Sequence, residues 1–239
     1  MNETSISSAQ RMYARLAGFV YLFNYAANVF GVLVPSRIKG TGTFAESAER
    51  VLASEHLYRT ALTSMTIAWA SLVVLSFALY VALEPVNKRL ARLALFFRLG
   101  EAFVGGVTVM WSFATLRLYT ISQDVGSALQ DEQLQALASV TGSATDSGFF
   151  IAWMFFGPGS FLFFYLFYKS GYIPRVLAAL GMLGSVVMLL GNLVALVFPE
   201  YISMVQYGWA PIGIAEITTA FWLMIVGLRS VGGSKRNAA

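Results

Sequence analysis

Six runs of mostly apolar residues recur along the chain, at approximately Leu16–Val34, Ala61–Leu83, Leu93–Leu116, Phe149–Tyr168, Val176–Phe198 and Ile212–Leu228. Crossing the hydrocarbon core of a bilayer takes roughly 20 such residues in a helix, whereas a membrane strand takes about ten residues of alternating polarity. These runs are long, unalternating and rich in Leu and Ala, so the period and length both specify helices. Composition agrees: 57% of the 239 residues are hydrophobic and 12% are charged, about half the charge of a soluble domain. A water-soluble protein, a coiled coil, a collagen and a disordered chain are all excluded. The fold class expected is therefore an all-α polytopic membrane protein, a bundle of six transmembrane helices in a single integral domain over residues 1–239. The first run follows Arg11 and Arg15 and lacks a small-x-small site before a polar mature start, so it reads as an uncleaved signal anchor.

Basic residues orient the bundle, because short cytoplasmic loops carry the excess of Lys and Arg. Arg11, Arg15, Lys88, Arg89, Arg92, Lys169, Arg175, Arg229, Lys235 and Arg236 fall on one side, ten against five for Arg37, Lys39, Arg50, Arg59 and Arg117. Both termini are expected in the cytoplasm. The two longer connections, roughly 35–60 and 118–147, then face outward, and each contains a short amphipathic stretch. Phe44, Ala48, Val51 and Leu52 recur at helical spacing in the first, and Leu129, Leu134, Leu137 and Ala138 in the second. Two short outer surface helices are expected there. Val51-Leu-Ala-Ser54 and Ala136-Leu-Ala-Ser139 end them alike, as in a repeated hairpin.

Three segments occur in order: Ala82-Leu-Glu-Pro-Val-Asn87 leading into Phe97-Arg-Leu-Gly-Glu101; Phe155-Phe-Gly157 followed by Ser170-Gly-Tyr-Ile-Pro-Arg175; and Glu216-Ile-Thr-Thr-Ala-Phe-Trp222. With Ala14-Arg-Leu-Ala-Gly18 before them and Gly227 after, this pattern resembles the bacterial DUF4386 family, a domain of unknown function. The resemblance implies a small bacterial inner-membrane protein of about six helices, without an assigned substrate, cofactor or catalytic set. Glu84 departs from the basic or neutral residue more usual before the Pro-Val-Asn turn. Physically, Pro85 ends one helix and Asn87 caps the next. Gly171 suits a left-handed helix end, Pro174 a first helical turn, and Tyr172 headgroup depth.

An ionisable side chain at membrane depth costs roughly 3 kcal/mol on insertion scales, so each one inside a span needs a reason. There are three: Arg98, Glu101 and Glu216. Arg98 and Glu101 are three apart and share a helix face, which allows an ion pair. Steps of three and four place Tyr21, Asn24 and Asn28 on one stripe of the first span, and Glu216 on an inward stripe of the last. At about 1.5 Å of rise per residue, Glu101 and Asn24 lie ~14 Å from the cytoplasmic edge, and Asn28 and Glu216 ~20 Å. A central cluster of Arg98, Glu101 and Glu216 with Asn24 and Asn28 as neutral partners is expected. It is either a packing device that fixes helix register or the polar end of a cavity for a small lipophilic or amphipathic ligand, with Trp153 and the other aromatics of span four as its apolar wall. One guanidinium against two carboxylates leaves a negative charge for a proton, a cation or a ligand amine to neutralise.

Other features point less far. His56 reads as a solvated interfacial residue, Asp146 with Ser147 as the N-cap of span four, and Asn192 as a cross-helix hydrogen-bonding group. Gly157-Pro158-Gly159 is expected to bend span four. Gly181, Gly184 and Gly191 pack either within the chain or in a homo-oligomer. No cysteine and one histidine exclude disulfides, thiolate chemistry and multi-histidine metal sites. No lysine lies within a span to form a Schiff base, and protease, P-loop and haem motifs lack their residues. The sequence thus assigns no catalytic residue, no metal and no cofactor, and as partners the bilayer and a small ligand, with no nucleic acid. A structural or accessory subunit is the alternative, and an intramembrane enzyme the third reading.

Overall fold

The computed structural model describes residues 6–122, 130–202 and 208–229. Among these residues the chain is all-helical: α1 (Ser8–Lys39), α2 (Phe44–Ala53), α3 (Glu55–Leu83), α4 (Lys88–Ile121), α5 (Asp131–Ser170), α6 (Arg175–Val197), a 3-10 turn at Pro199–Tyr201, and α7 (Trp209–Ile225). Five of them, α1, α3, α4, α5 and α6, are long and apolar enough to cross a membrane. The sixth expected span corresponds to α7, an apolar helix of 17 residues.

Of the two expected surface helices, one is a separate element. The Thr43 hydroxyl accepts a hydrogen bond from the Glu46 backbone amide and the Glu46 carboxylate accepts one from the Thr43 backbone amide, a capping box that starts α2. The second is not separate. Leu134, Leu137 and Ala138 lie on α5, which runs on without interruption to Ser170, and Leu129 lies outside the described residues. The helical period that suggested a surface segment continues into the apolar run, and glycine at positions 142 and 148 does not stop it. Two corrections follow. Asp146 sits inside α5 and caps nothing, and Ala136–Ser139 is mid-helix, whereas Ser54 is the C-cap of α2.

The turns behave as their residues dictate. Asn87 Oδ1 accepts from the Leu90 amide at the start of α4. Gly171 takes φ +67, a conformation that costs a side-chain-bearing residue about 1 kcal/mol, and its amide closes α5 onto Phe167. Pro174 is the N-cap residue of α6, one position before the first turn.

The described residues group into two compact units, and α1, α3, α4 and α5 each contribute to both. The first takes residues from Met1–Phe23, Ser71–Ala102 and Ala152–Ala239; the second from Asn24–Ala70 and Phe103–Ile151. In the second unit, Phe44, Ala48 and Val51 of α2 pack with Tyr58 and Leu62 of α3, Leu116 and Tyr119 of α4 and Leu134 of α5.

The first unit is built on glycine contacts. A Cβ on Gly18 of α1 would stand 2.6 Å from the Ala220 carbonyl oxygen and 2.7 Å from the Met224 amide of α7. Gly184 of α6 meets the Ile212 backbone of α7 as closely, and Gly181 seats the Phe164 ring of α5. Gly181 and Gly184 are therefore consumed by packing within the chain. Helix α5 is unbroken through Gly157-Pro158-Gly159. Its two glycines admit Leu189 and the Arg98 stem respectively.

Candidate functional site

The first unit holds a buried charge cluster assembled from four helices. Arg98 and Glu101 lie one turn apart on α4, and their Nη1 and Oε2 atoms are 2.9 Å apart. Glu216 comes from α7, with Oε1 4.0 Å from the same Nη1. Tyr21 on α1 donates its hydroxyl to Glu216 Oε1 at 3.2 Å, and Ser160 on α5 donates to the same oxygen at 3.4 Å. The guanidinium also lies 4.7 Å from the centroid of Phe156. Gly159, one turn along α5, has no side chain and lets the aliphatic stem of Arg98 pass against the backbone. None of Tyr21, Arg98, Glu101, Ser160 and Glu216 exceeds 4% exposure, so bulk water does not screen these charges.

Local sequence explains the arrangement. The Arg98–Glu101 spacing lets one helix neutralise its own charge before any partner arrives. Glu216 sits on the face of α7 that carries Ile212, Ala215, Thr219, Ala220 and Leu223, all buried, so its carboxylate is carried inward with the apolar stripe. Gly18, one turn before Tyr21 on α1, brings that helix against α7 closely enough for the phenol to reach Glu216.

The family model for a domain of unknown function (DUF4386) matches residues 16–227, most of the chain. The chain belongs to this family. No curated protein and no solved structure matches it. Three of the cluster residues lie in the segments that resemble DUF4386: Arg98 and Glu101 in Phe97-Arg-Leu-Gly-Glu101, and Glu216 at the head of the last segment.

The other expected site residues of this DUF4386 chain have contacts of their own. Asn24 and Asn28 belong to the second unit, where Asn24 Nδ2 donates to the Ala68 carbonyl at 2.7 Å and Asn28 Nδ2 donates to Asn24 at 3.1 Å. Trp153 is on α5, seven residues before Ser160, about two helical turns or ~10 Å along the same face, and its ring meets Trp209 edge-on at 4.0 Å. His56 is exposed, next to a Glu55–Arg59 ion pair of 2.7 Å. Asn192 is fully buried with neither amide atom hydrogen-bonded, contrary to the cross-helix role expected of it. Tyr21 and Ser160 are the cluster members that sequence reasoning did not assign. Tyr21 had a signal, its place on the polar stripe of α1. Ser160 had none, because a serine in an apolar helix usually bonds its own backbone.

Proposed function

We propose that this protein is a six-span membrane protein, with both termini in the cytoplasm of a bacterium, that binds or moves a small lipophilic or amphipathic molecule at the Arg98–Glu101–Glu216 cluster. One observation carries the reading: two carboxylates and one guanidinium are buried together, and the hydroxyls of Tyr21 and Ser160 that join them are neutral. Each buried charge costs roughly 3 kcal/mol to insert, and the excess negative charge calls for a proton, a cation or the amine of a ligand. In this reading Tyr21 and Ser160 hold Glu216 in place, Arg98 balances one carboxylate, and Phe156 forms the adjoining apolar surface. The apolar character of α7, about 26 Å long at 1.5 Å per residue, supports its crossing as the sixth span. The ten-to-five distribution of Lys and Arg supports the orientation.

A second reading has its own support. Glu216 Oε1 accepts two hydrogen bonds from the protein and Arg98 is wedged between Glu101, Phe156 and Gly159, which suits a network that only fixes helix register. Native mass spectrometry of the protein in nanodiscs of its own membrane lipids separates the two. In the binding reading a reproducible small adduct is retained by the wild type and lost from E216Q or E101Q, while the melting temperature of those variants changes little. A bare mass, or adducts indifferent to both substitutions, leaves the structural reading.

A further inference from the structure

The buried amide of Asn192 opens a second site in the same unit, independent of the charge cluster. Asn192 has no accessible surface, and both Oδ1 and Nδ2 lack a hydrogen-bonding partner. An amide buried without partners costs on the order of 2–7 kcal/mol, and such groups in folded proteins are paired with protein, water or a ligand.

Helix register shows what the amide faces. Gly181 of α6 seats the ring of Phe164 on α5. The two helices run antiparallel through the short turn at Gly171, and 11 residues are just over three full turns. Eleven positions further on α6 and eleven earlier on α5 bring Asn192 opposite Trp153. The Gly157–Leu189 contact, 2.8 Å from a would-be Cβ, lies along the same seam about one turn before it. Trp153 is in turn covered edge-on by Trp209 at the start of α7. This register puts Asn192 level with the Trp153–Trp209 pair. No charged residue lies on α6 between Arg175 and its end at Val197, so the site suits a neutral occupant. One free donor end and one free acceptor end are matched together by a hydroxyl, which offers an acceptor and a donor on one atom.

We propose that Asn192 binds the hydroxyl of a neutral lipophile whose apolar body lies along the Trp153–Trp209 pair, the ligand parting the two indoles as it enters. A free long-chain alcohol and a hydroxyl-bearing glycerolipid share this chemistry. The test uses a hexadecanol carrying a mid-chain diazirine, photolysed with the protein in phosphatidylcholine nanodiscs and mapped by peptide mass. Labelling is expected on the α5 and α6–α7 peptides that contain Trp153, Asn192 and Trp209. Excess hexadecanol should compete and hexadecane should not. Competition by dioleoylglycerol in the nanodisc instead of hexadecanol would assign the site to a glycerolipid. Loss of two neutral hydrogen bonds predicts at least a tenfold drop in labelling for N192L, with E216Q labelled as the wild type is. Labelling spread over lipid-facing residues, equal competition by hexadecane, or N192L labelled normally would overturn the proposal and leave the amide to an ordered water. The hexadecane comparison needs no variant, so the test survives if N192L does not assemble. Because E216Q should leave this labelling intact, failure here and failure of the charge-cluster reading are separate results.

Discussion

Replacing Arg98 by alanine isolates two carboxylates, and the geometry sets the size of the effect. The guanidinium Nη1 stands 2.9 Å from Glu101 and 4.0 Å from Glu216. If these contacts acted only as hydrogen bonds within a membrane bundle, each would be worth about 0.6 kcal/mol and the pair roughly 1 kcal/mol. Removing the one cation from a buried ion cluster is a larger perturbation, about 3–5 kcal/mol, because the carboxylates stay behind uncompensated. The side chain also fills space beside Phe156 and Gly159, so truncation leaves a void as well. The expected loss for R98A is therefore about 4 kcal/mol. The triple variant R98M/E101Q/E216Q removes every charge while keeping most of the volume, and should lie within about 1 kcal/mol of the wild type. Unfolding in mixed micelles by dodecyl sulfate titration, followed by tryptophan fluorescence, gives both numbers. A loss of 1 kcal/mol or less for R98A, or a triple variant less stable than R98A, would refute the charge-isolation argument. If R98A does not assemble at all, the recovery of assembly in the triple variant decides the same question.

Two further substitutions test the packing and a turn. G18A places a methyl group 2.6 Å from the Ala220 carbonyl and 2.7 Å from the Met224 amide, backbone atoms that cannot swing aside, and should cost about 1–3 kcal/mol in the same titration; G213A, which meets nothing within 4 Å, should change stability by no more than about 0.5 kcal/mol. At the α3–α4 turn the Lys88 ammonium, 2.7 Å from Glu84, holds that carboxyl below the usual carboxylate range. A carboxyl held low stabilises the fold above its unfolded value and loses that contribution as pH falls through its folded one. The small advantage of wild type over E84Q in thermal melts should therefore be present at pH 7, shrink in salt, and vanish as pH falls through the lowered range of the Glu84 carboxyl; a difference that grows in acid contradicts the pairing.

The helices and the charged heart of the first unit were readable from spacing because both obey the helical period. Arg98 and Glu101 at i and i+3 need no tertiary information to meet, and Glu216 faces inward because the buried residues beside it do. The neutral partners were a different problem. Depth along the membrane normal puts Asn24 level with Glu101, but a helix carries groups of equal depth on every face, so depth alone does not choose its partner; its amide donates to the Ala68 carbonyl of α3. Tyr21, one turn before Asn24 and two before Asn28, reaches Glu216 because Gly18 brings α1 against α7, a close approach that no periodicity encodes. The expected second surface helix failed for the converse reason. The change from amphipathic to apolar between Ser139 and Phe149 suggests a boundary, yet no proline lies there and the helix runs on through Asp146 and Ser147, since polarity alone does not break hydrogen bonding.

The separation in sequence between the members of the charge cluster also orders the protein's biosynthesis. Glu216 is made 115 residues after Glu101 and 195 after Tyr21, so at 5–20 residues per second roughly 6 to 23 s pass between the emergence of Glu101 and that of Glu216. During that interval α4 can enter lipid with Arg98 and Glu101 already paired within one turn. The phenol of Tyr21 and the Gly18 groove, in contrast, wait for α7, made nearly 200 residues later. Nascent chains stopped before α7 should thus be insertion-competent but open along one side of α1, a form that quality-control proteases can distinguish from the finished protein.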